Sequence, residues 1–129
     1  MTKTIIWIED DYHIIGSLVQ PLEDNGYKVV KYSSYREAMK NINNIKKADL
    51  ILLDIILPSG DGTTESRFYG IRLLQDFRKN GIDKPVIALT VVTNESVINR
   101  LKGLNVESII TKPFLPSDLK ELVNETLSP

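Results

Sequence analysis

The segment that most constrains this chain is Ala48-Asp49-Leu50-Ile51-Leu52-Leu53-Asp54-Ile55-Ile56-Leu57-Pro58, an apolar run broken at its centre by one carboxylate. Leu50 to Leu53 has no polar alternate position, so as a strand it must bury both faces, as a central strand of a parallel sheet does. Helices must then cover the sheet above and below. In open α/β sheets ligands gather outside the carboxyl ends of the strands, where Asp54 falls. A single polar residue ending a buried strand ordinarily just meets solvent, so the other strand ends decide whether Asp54 signifies more.

Taken in order, Thr4 to Ile8 is a short β-branched strand that stops at Glu9-Asp10-Asp11. Ile14, Ile15, Leu18, Val19 and Leu22 recur at helical spacing up to a stop at Asn25-Gly26. Tyr27 to Tyr32 is the second strand, and Ser34-Tyr35-Arg36-Glu37 matches a capping box opening a helix whose Ala38, Ile42 and Ile45 face the sheet. After the central strand, periodicity is lost from Pro58 to Gly70, long for a connection in an α/β unit. It resumes at Ile71, Leu73, Leu74 and Phe77 and stops at Asn80-Gly81. Val86 to Leu89 is a fourth strand ending at Thr90; Thr93 or Asn94 caps the next helix, and Asn105 ends it. Ser108 to Thr111 is a fifth strand, followed by Lys112-Pro113 and a last helix from Pro116 with Leu119, Leu122 and Val123 inward. Five alternations of strand and helix with short crossovers predict a parallel sheet with helices on both faces.

Composition narrows the function. A chain of 129 residues, 42% hydrophobic and 26% charged, suits one domain over residues 1–129. Sixteen basic against seventeen acidic residues leave a net charge of −1, so no global field draws nucleic acid or an anionic membrane. The absence of cysteine excludes disulfides, thiolate catalysis and Cys-ligated metals. Thr2 to Ile8 lacks the apolar core of a signal peptide, and no window is long and apolar enough to span a bilayer, so a cytoplasmic protein is expected.

Parallel strands share one carboxyl edge, which collects Glu9 and Asp10 from the first strand, Asp54 from the third, Thr90 from the fourth and Lys112 from the fifth. Three neighbouring carboxylates repel one another unless a cation sits among them, and hard oxygen ligands suit Mg²⁺ better than zinc. Lys112 offers a point charge and Thr90 a hydroxyl for the oxygens of a phosphoryl group. An aspartate carboxylate is itself a competent nucleophile and forms an acyl phosphate.

Glu9-Asp10, Asp54 followed four residues on by Pro58, Leu89-Thr90 and Thr111-Lys112-Pro113-Phe114 together resemble the receiver domain of bacterial response regulators, over the whole chain. The resemblance implies a flavodoxin-like (βα)5 three-layer fold with strand order 2-1-3-4-5. It implies a phosphorylation-controlled switch in two-component signalling, not a turnover enzyme, that catalyses only its own phosphorylation and dephosphorylation. Asp54 would accept the phosphoryl group from a histidine kinase or phosphotransfer protein. Asp10, Asp54 and the backbone carbonyl of Ile56 would hold Mg²⁺, with Glu9 acting partly through water. Thr90 and Lys112 would engage the phosphoryl group and pass the change to the face of the fourth helix, fifth strand and fifth helix, where a downstream protein or a second copy binds. The Lys112-Pro113 bond is expected to be cis.

The chain departs from that family at several points. Ile109 stands where an aromatic residue is usual, which puts the usual rotamer readout in doubt. Val91 follows Thr90 where a small residue is common, and its β-branch is expected to narrow access and slow phosphoryl transfer. Gly62 to Tyr69, which carries Arg67, Phe68 and Tyr69 beside the active-site edge, reads as an insertion of one or two helical turns, the family's glycine aligning with either Gly62 or Gly70. A surface loop or helix extension is the favoured reading over a lid. His13 reads as a solvated histidine near a helix start rather than a phosphodonor or metal ligand, and Trp7 as core. Lys40, Lys46 and Lys47 read as a solvated helix face, and Asp11 as a helix N-terminal acid, with support of the metal ligands as the sharper alternative.

Two other classes compete. A degenerate receiver, a binding module without phosphorylation, is kept open by Ile109 and Val91 and opposed by the complete Glu9, Asp10, Asp54, Thr90 and Lys112 set. A flavin-binding protein or α/β enzyme on the same sheet needs a phosphate-accepting loop after the first strand, where Glu9-Asp10-Asp11 would repel the ligand.

Overall fold

The computed structural model describes residues 2–60, 69–91 and 94–128, with the backbone alone at 12–14. The strands are β1 (Thr4–Ile8), β2 (Lys28–Tyr32), β3 (Leu50–Asp54), β4 (Val86–Thr90) and β5 (Ser108–Thr111). The helices are α1 (Tyr12–Asp24), α2 (Tyr35–Lys40), α3 (Ile42–Ile45), α4 (Tyr69–Lys79), α5 (Glu95–Gly103) and α6 (Pro116–Leu127). The sheet runs β2-β1-β3-β4-β5 with every neighbouring pair parallel, which is the flavodoxin-like order expected.

β3 and β4 are buried at every position, as uninterrupted apolar runs require. Their alternate side chains feed two separate cores. Ile6, Ile8, Ile51, Leu53 and Ala88 point to the side covered by α2 to α5, meeting Ala38, Ile45, Leu74, Phe77 and Leu101. Ile5, Trp7, Leu50, Leu52, Ile87 and Leu89 point to the side of α1 and α6, meeting Ile15, Leu18, Leu22, Leu119 and Val123. Trp7 is thus core, as its strand position predicts. The chosen inward residues whose side chains are described hold as well, except that Ile42 and Leu122 are half-buried; the Ile14 side chain lies outside the described residues.

The second helical segment is two short helices. Asn41 interrupts it, its side-chain amide donating to the Glu37 carbonyl at 2.8 Å and its backbone at φ −111°, ψ 23°. An Asn side chain that competes with the helix ladder in this way ends a turn. Ser34 caps α2 by accepting from the Glu37 amide at 3.1 Å, but the Glu37 carboxylate reaches back one residue further than a capping box requires, to the Ser33 amide. Asn94 caps α5 through the Val97 amide at 2.9 Å; Thr93 lies outside the described residues. Asn105 adopts φ 59° and ends α5 in the left-handed region, and the Lys112-Pro113 bond is cis, both as expected. Lys40, Lys46 and Lys47 are exposed.

Arg78 closes the amino edge of the molecule. From α4 its guanidinium donates to the carbonyls of Ile82 and Lys84 at 2.9 and 3.0 Å, and to those of Leu104 and Asn105, just beyond α5, at 2.9 and 3.1 Å.

Candidate functional site

Register brings the strand ends together. Ile8 pairs with Leu53, Asp54 with Leu89 and Thr90 with Thr111, so the residues that follow β1, β3, β4 and β5 share one edge. Two backbone bonds lock that edge beyond the ladder: Ile55 N–H donates to Leu89 O at 3.1 Å, and Lys112 N–H to Thr90 O at 2.9 Å. The sequence-predicted residues converge there. Carboxylate oxygens of Glu9, Asp10 and Asp54 lie within 4.8 Å of one another. Glu9 is 1% and Asp54 5% exposed, Thr90 is fully buried and Asp10 is open to solvent.

Lys112 bridges the two buried carboxylates. Its Nζ lies 2.5 Å from Glu9 Oε1 and 3.4 Å from Asp54 Oδ2. Burial alone would lower the lysine pKa, but the Glu9 hydrogen bond and the charge of Asp54 outweigh it and hold the ammonium above its usual value. Glu9 moves up as well, to about 8, first because it is buried and next because the Asp54 carboxylate stands beside it, with Lys112 offsetting only part. Asp10 is raised by burial and by the neighbouring Glu9 and Asp11. The cluster therefore holds negative charge with difficulty.

Asp54 is oriented by its own loop: the Ile56 amide donates to Oδ1 at 3.0 Å, leaving Oδ2 toward Lys112. Glu9 Oε2 is buried with no hydrogen-bond partner. An orphaned buried carboxylate oxygen beside two further carboxylates is a donor set short of a hard cation, so the residues fit Mg²⁺. The Ile56 carbonyl accepts no hydrogen bond among the described residues, whereas those of Ile55, Leu57, Pro58 and Ser59 each accept one from an amide.

Of the departures, Val91 is exposed at the rim beside Thr90, and Ile109 is half-buried against the α2-to-α5 core. Asp11 precedes α1, its carbonyl accepting from Ile15 N–H at 3.3 Å. The His13 side chain, Gly62, Arg67 and Phe68 lie outside the described residues. Gly70 meets the site, its amide donating to Ile55 O at 3.2 Å where α4 begins against the end of β3. Sequence reading set Tyr69 beside this edge but missed the group it joins: Tyr35, Arg72 and Asp76. Tyr35 donates its hydroxyl to the Asp76 carboxylate, a pairing across 41 residues that no local pattern announces.

A doubly wound parallel sheet with an acidic cluster and a half-buried lysine at its carboxyl edge defines a flavodoxin-like α/β protein with a candidate cation site. Residues 5–124 match the model of the response regulator receiver domain, and the chain belongs to that family. It is 31% identical over 129 residues to the alkaline phosphatase synthesis transcriptional regulatory protein PhoP of Bacillus subtilis (strain 168), covering 98% of this chain and 49% of the relative. It is 35% identical over 119 residues to the phosphate regulon transcriptional regulatory protein PhoB of Pseudomonas aeruginosa, covering 91% and 48%. The chain thus spans about half the length of these relatives. A CheY-like response regulator receiver domain protein from Methanospirillum hungatei superposes with a TM-score of 0.83 at 28% identity, covering 98% of this chain and 94% of the other. Receiver domains are regulators that bind Mg²⁺ at an acidic pocket and interact with histidine kinases and downstream effectors. Among the described residues no helix is long and apolar enough to cross a membrane.

Proposed function

We propose that residues 1–129 form one receiver domain in which Asp54 accepts a phosphoryl group from a histidine kinase or phosphotransfer protein. The observation that carries this reading is the cluster of Glu9, Asp10 and Asp54, two of whose carboxylates meet the half-buried Lys112, with a Glu9 oxygen left unpartnered. In the transfer an Asp54 oxygen attacks phosphorus, a P–O bond forms, and the P–N bond to the donor histidine breaks with its electron pair returning to the imidazole. The Ile56 amide holds the carboxylate for attack, and Lys112, already within reach of Asp54, pairs with the incoming phosphoryl oxygens. The Thr90 hydroxyl, at the end of the adjacent strand, is the second donor to them. Asp10, Asp54 and the Ile56 carbonyl would hold Mg²⁺, with Glu9 partly through water, and the ion would neutralise charge on the transferring group. Water returns the acyl phosphate to carboxylate and inorganic phosphate, so the protein acts on no substrate but itself.

Output leaves by the face of α5, β5 and α6. β5 is the sheet's edge strand and is only half-buried, which leaves that face accessible to a downstream protein or a second copy. A net charge of −1 argues against nucleic-acid binding through this domain, and the reading places the protein in the cytoplasm.

The test is the intact mass after incubation with acetyl phosphate, with and without Mg²⁺, with Asp54→Asn as control. A gain of one phosphoryl group that needs both Mg²⁺ and Asp54 is expected. No gain despite bound metal would leave the phosphorylation-independent binding module as the reading.

A further inference from the structure

Among the proposed metal ligands, the Ile56 carbonyl has no side-chain freedom, so its aim depends on the peptides around it. Each of those is held by the N-terminus of a helix. Ile55 O and Leu57 O accept from the Gly70 and Tyr69 amides of α4 at 3.2 and 3.3 Å. Pro58 O and Ser59 O accept from the Tyr35 and Arg36 amides of α2 at 3.1 and 2.9 Å. Gly60, at φ 87°, shuts the loop against α2, since a Cβ there would stand 2.3 Å from Ser34 Oγ. The loop is gripped from two sides by two helices.

The residues that grip it also grip each other. The rings of Tyr35 and Tyr69 lie 5.2 Å apart at 51°, and the Arg72 guanidinium sits 5.6 Å from the first and 6.0 Å from the second. Tyr35 donates its hydroxyl to Asp76, one turn beyond Arg72 on α4. Burial and that carboxylate raise the phenol above its usual value, so it stays a donor at neutral pH. The backbone of each tyrosine holds the loop while its ring joins α2 to α4.

We propose that Tyr35, Tyr69, Arg72 and Asp76 act as a clasp between α2 and α4 that positions the Ile56 carbonyl, making them positioning residues for divalent-cation binding. The inference rests on the metal site proposed above. Mg²⁺ demands near-ideal octahedral ligands at short distance, so slack in one carbonyl reads out as lost affinity. Charge-assisted bonds such as phenol to carboxylate are stiff enough to remove that slack.

Calorimetric titration of Mg²⁺ into the parent, Tyr35→Phe, Asp76→Ala, Asp76→Asn and the Tyr35→Phe/Asp76→Ala double variant tests this, with a thermal midpoint for each. Tyr35→Phe and Asp76→Ala are each expected to weaken Mg²⁺ about tenfold, the cost typical of outer partners at metal sites. The double variant should be no weaker than either single, because both remove one bond. Asp76→Asn, whose amide oxygen still accepts from Tyr35, should recover part of the affinity. Tyr27→Phe is the control: it deletes the 2.6 Å bond from Tyr27 to Asn124 at the amino edge and should lower the midpoint with Mg²⁺ affinity unchanged. Parent-like affinity in Tyr35→Phe and Asp76→Ala, whatever their midpoints, overturns the clasp. A parent that binds no Mg²⁺ overturns the metal site itself, a result visible before any substitution is made.

Discussion

No space separates Gly70 from Asp54: a Cβ on Gly70 would stand 2.3 Å from the Asp54 carbonyl oxygen and 2.6 Å from both Cα and the carbonyl oxygen of Ile55. The start of α4 is pressed against the backbone that carries Asp54. Backbone cannot swing aside as a side chain can. Gly70→Ala is therefore expected to destabilise the fold by about 1–3 kcal/mol, the range for overpacking, and to weaken Mg²⁺ binding. Gly16, in α1 with nothing within 4 Å of an added Cβ, provides the contrast: Gly16→Ala should stabilise by about 0.5–1 kcal/mol. Denaturant midpoints for the two would decide it, and equal midpoints would show that α4 yields.

Glu9 is raised from 4.5 to about 8 and Asp10 is raised with it, burial being the first cause of both. Folded protein without metal holds these protons at a pH where the unfolded chain has released them. Their contribution to stability is thus complete below the unfolded value and lost as pH rises through the folded one. The thermal midpoint of metal-free protein should fall between about pH 5 and 8, less so in Glu9→Gln. Mg²⁺ takes the place of the proton, so its affinity should rise by up to about tenfold per pH unit over that window. A pH-independent affinity would refute the exchange.

Val91 is 58% exposed beside the buried Thr90. Its side chain supports no core, so Val91→Ala should leave stability within about 0.5 kcal/mol of the parent. If the β-branch narrows access, phosphorylation by acetyl phosphate and loss of the acyl phosphate should both speed up a few-fold, roughly 0.5–1 kcal/mol of barrier. Rates equal to the parent's would dismiss the idea.

Arg78→Met leaves four carbonyls without their donor. Loss of about 2–3 kcal/mol in chemical denaturation is expected, and Arg78→Lys should restore little, because an ammonium cannot reproduce the guanidinium fork.

The sheet and its loaded edge are legible in the sequence because each strand is a short apolar run ending at a polar residue. Parallel alternation then puts Glu9, Asp10, Asp54, Thr90 and Lys112 on one side without further information. What is not legible depends on contacts without a period. Asn41 divides a helix whose apolar spacing continues unbroken across it. Arg78 binds backbone carbonyls, which every residue carries, so no residue type marks its partners. Gly62 and Gly70 are equivalent candidates by spacing, and the close approach of Gly70 to the Asp54 backbone is a contact that spacing does not announce. Tyr35 and Asp76 look like two unrelated surface residues until α2 and α4 are side by side.

The Arg78 fork has a mechanical meaning. It fixes α5 just past its C-terminus, at Leu104 and Asn105, while Asn94 caps the other end, four residues on from Thr90 at the end of β4. A nine-residue helix is about 13 Å long, so a rotation of about 5° around that fulcrum displaces Asn94 by about 1 Å while Asn105 stays in place. A small tilt about main chain at the amino edge is thus magnified at the end of α5 that follows β4.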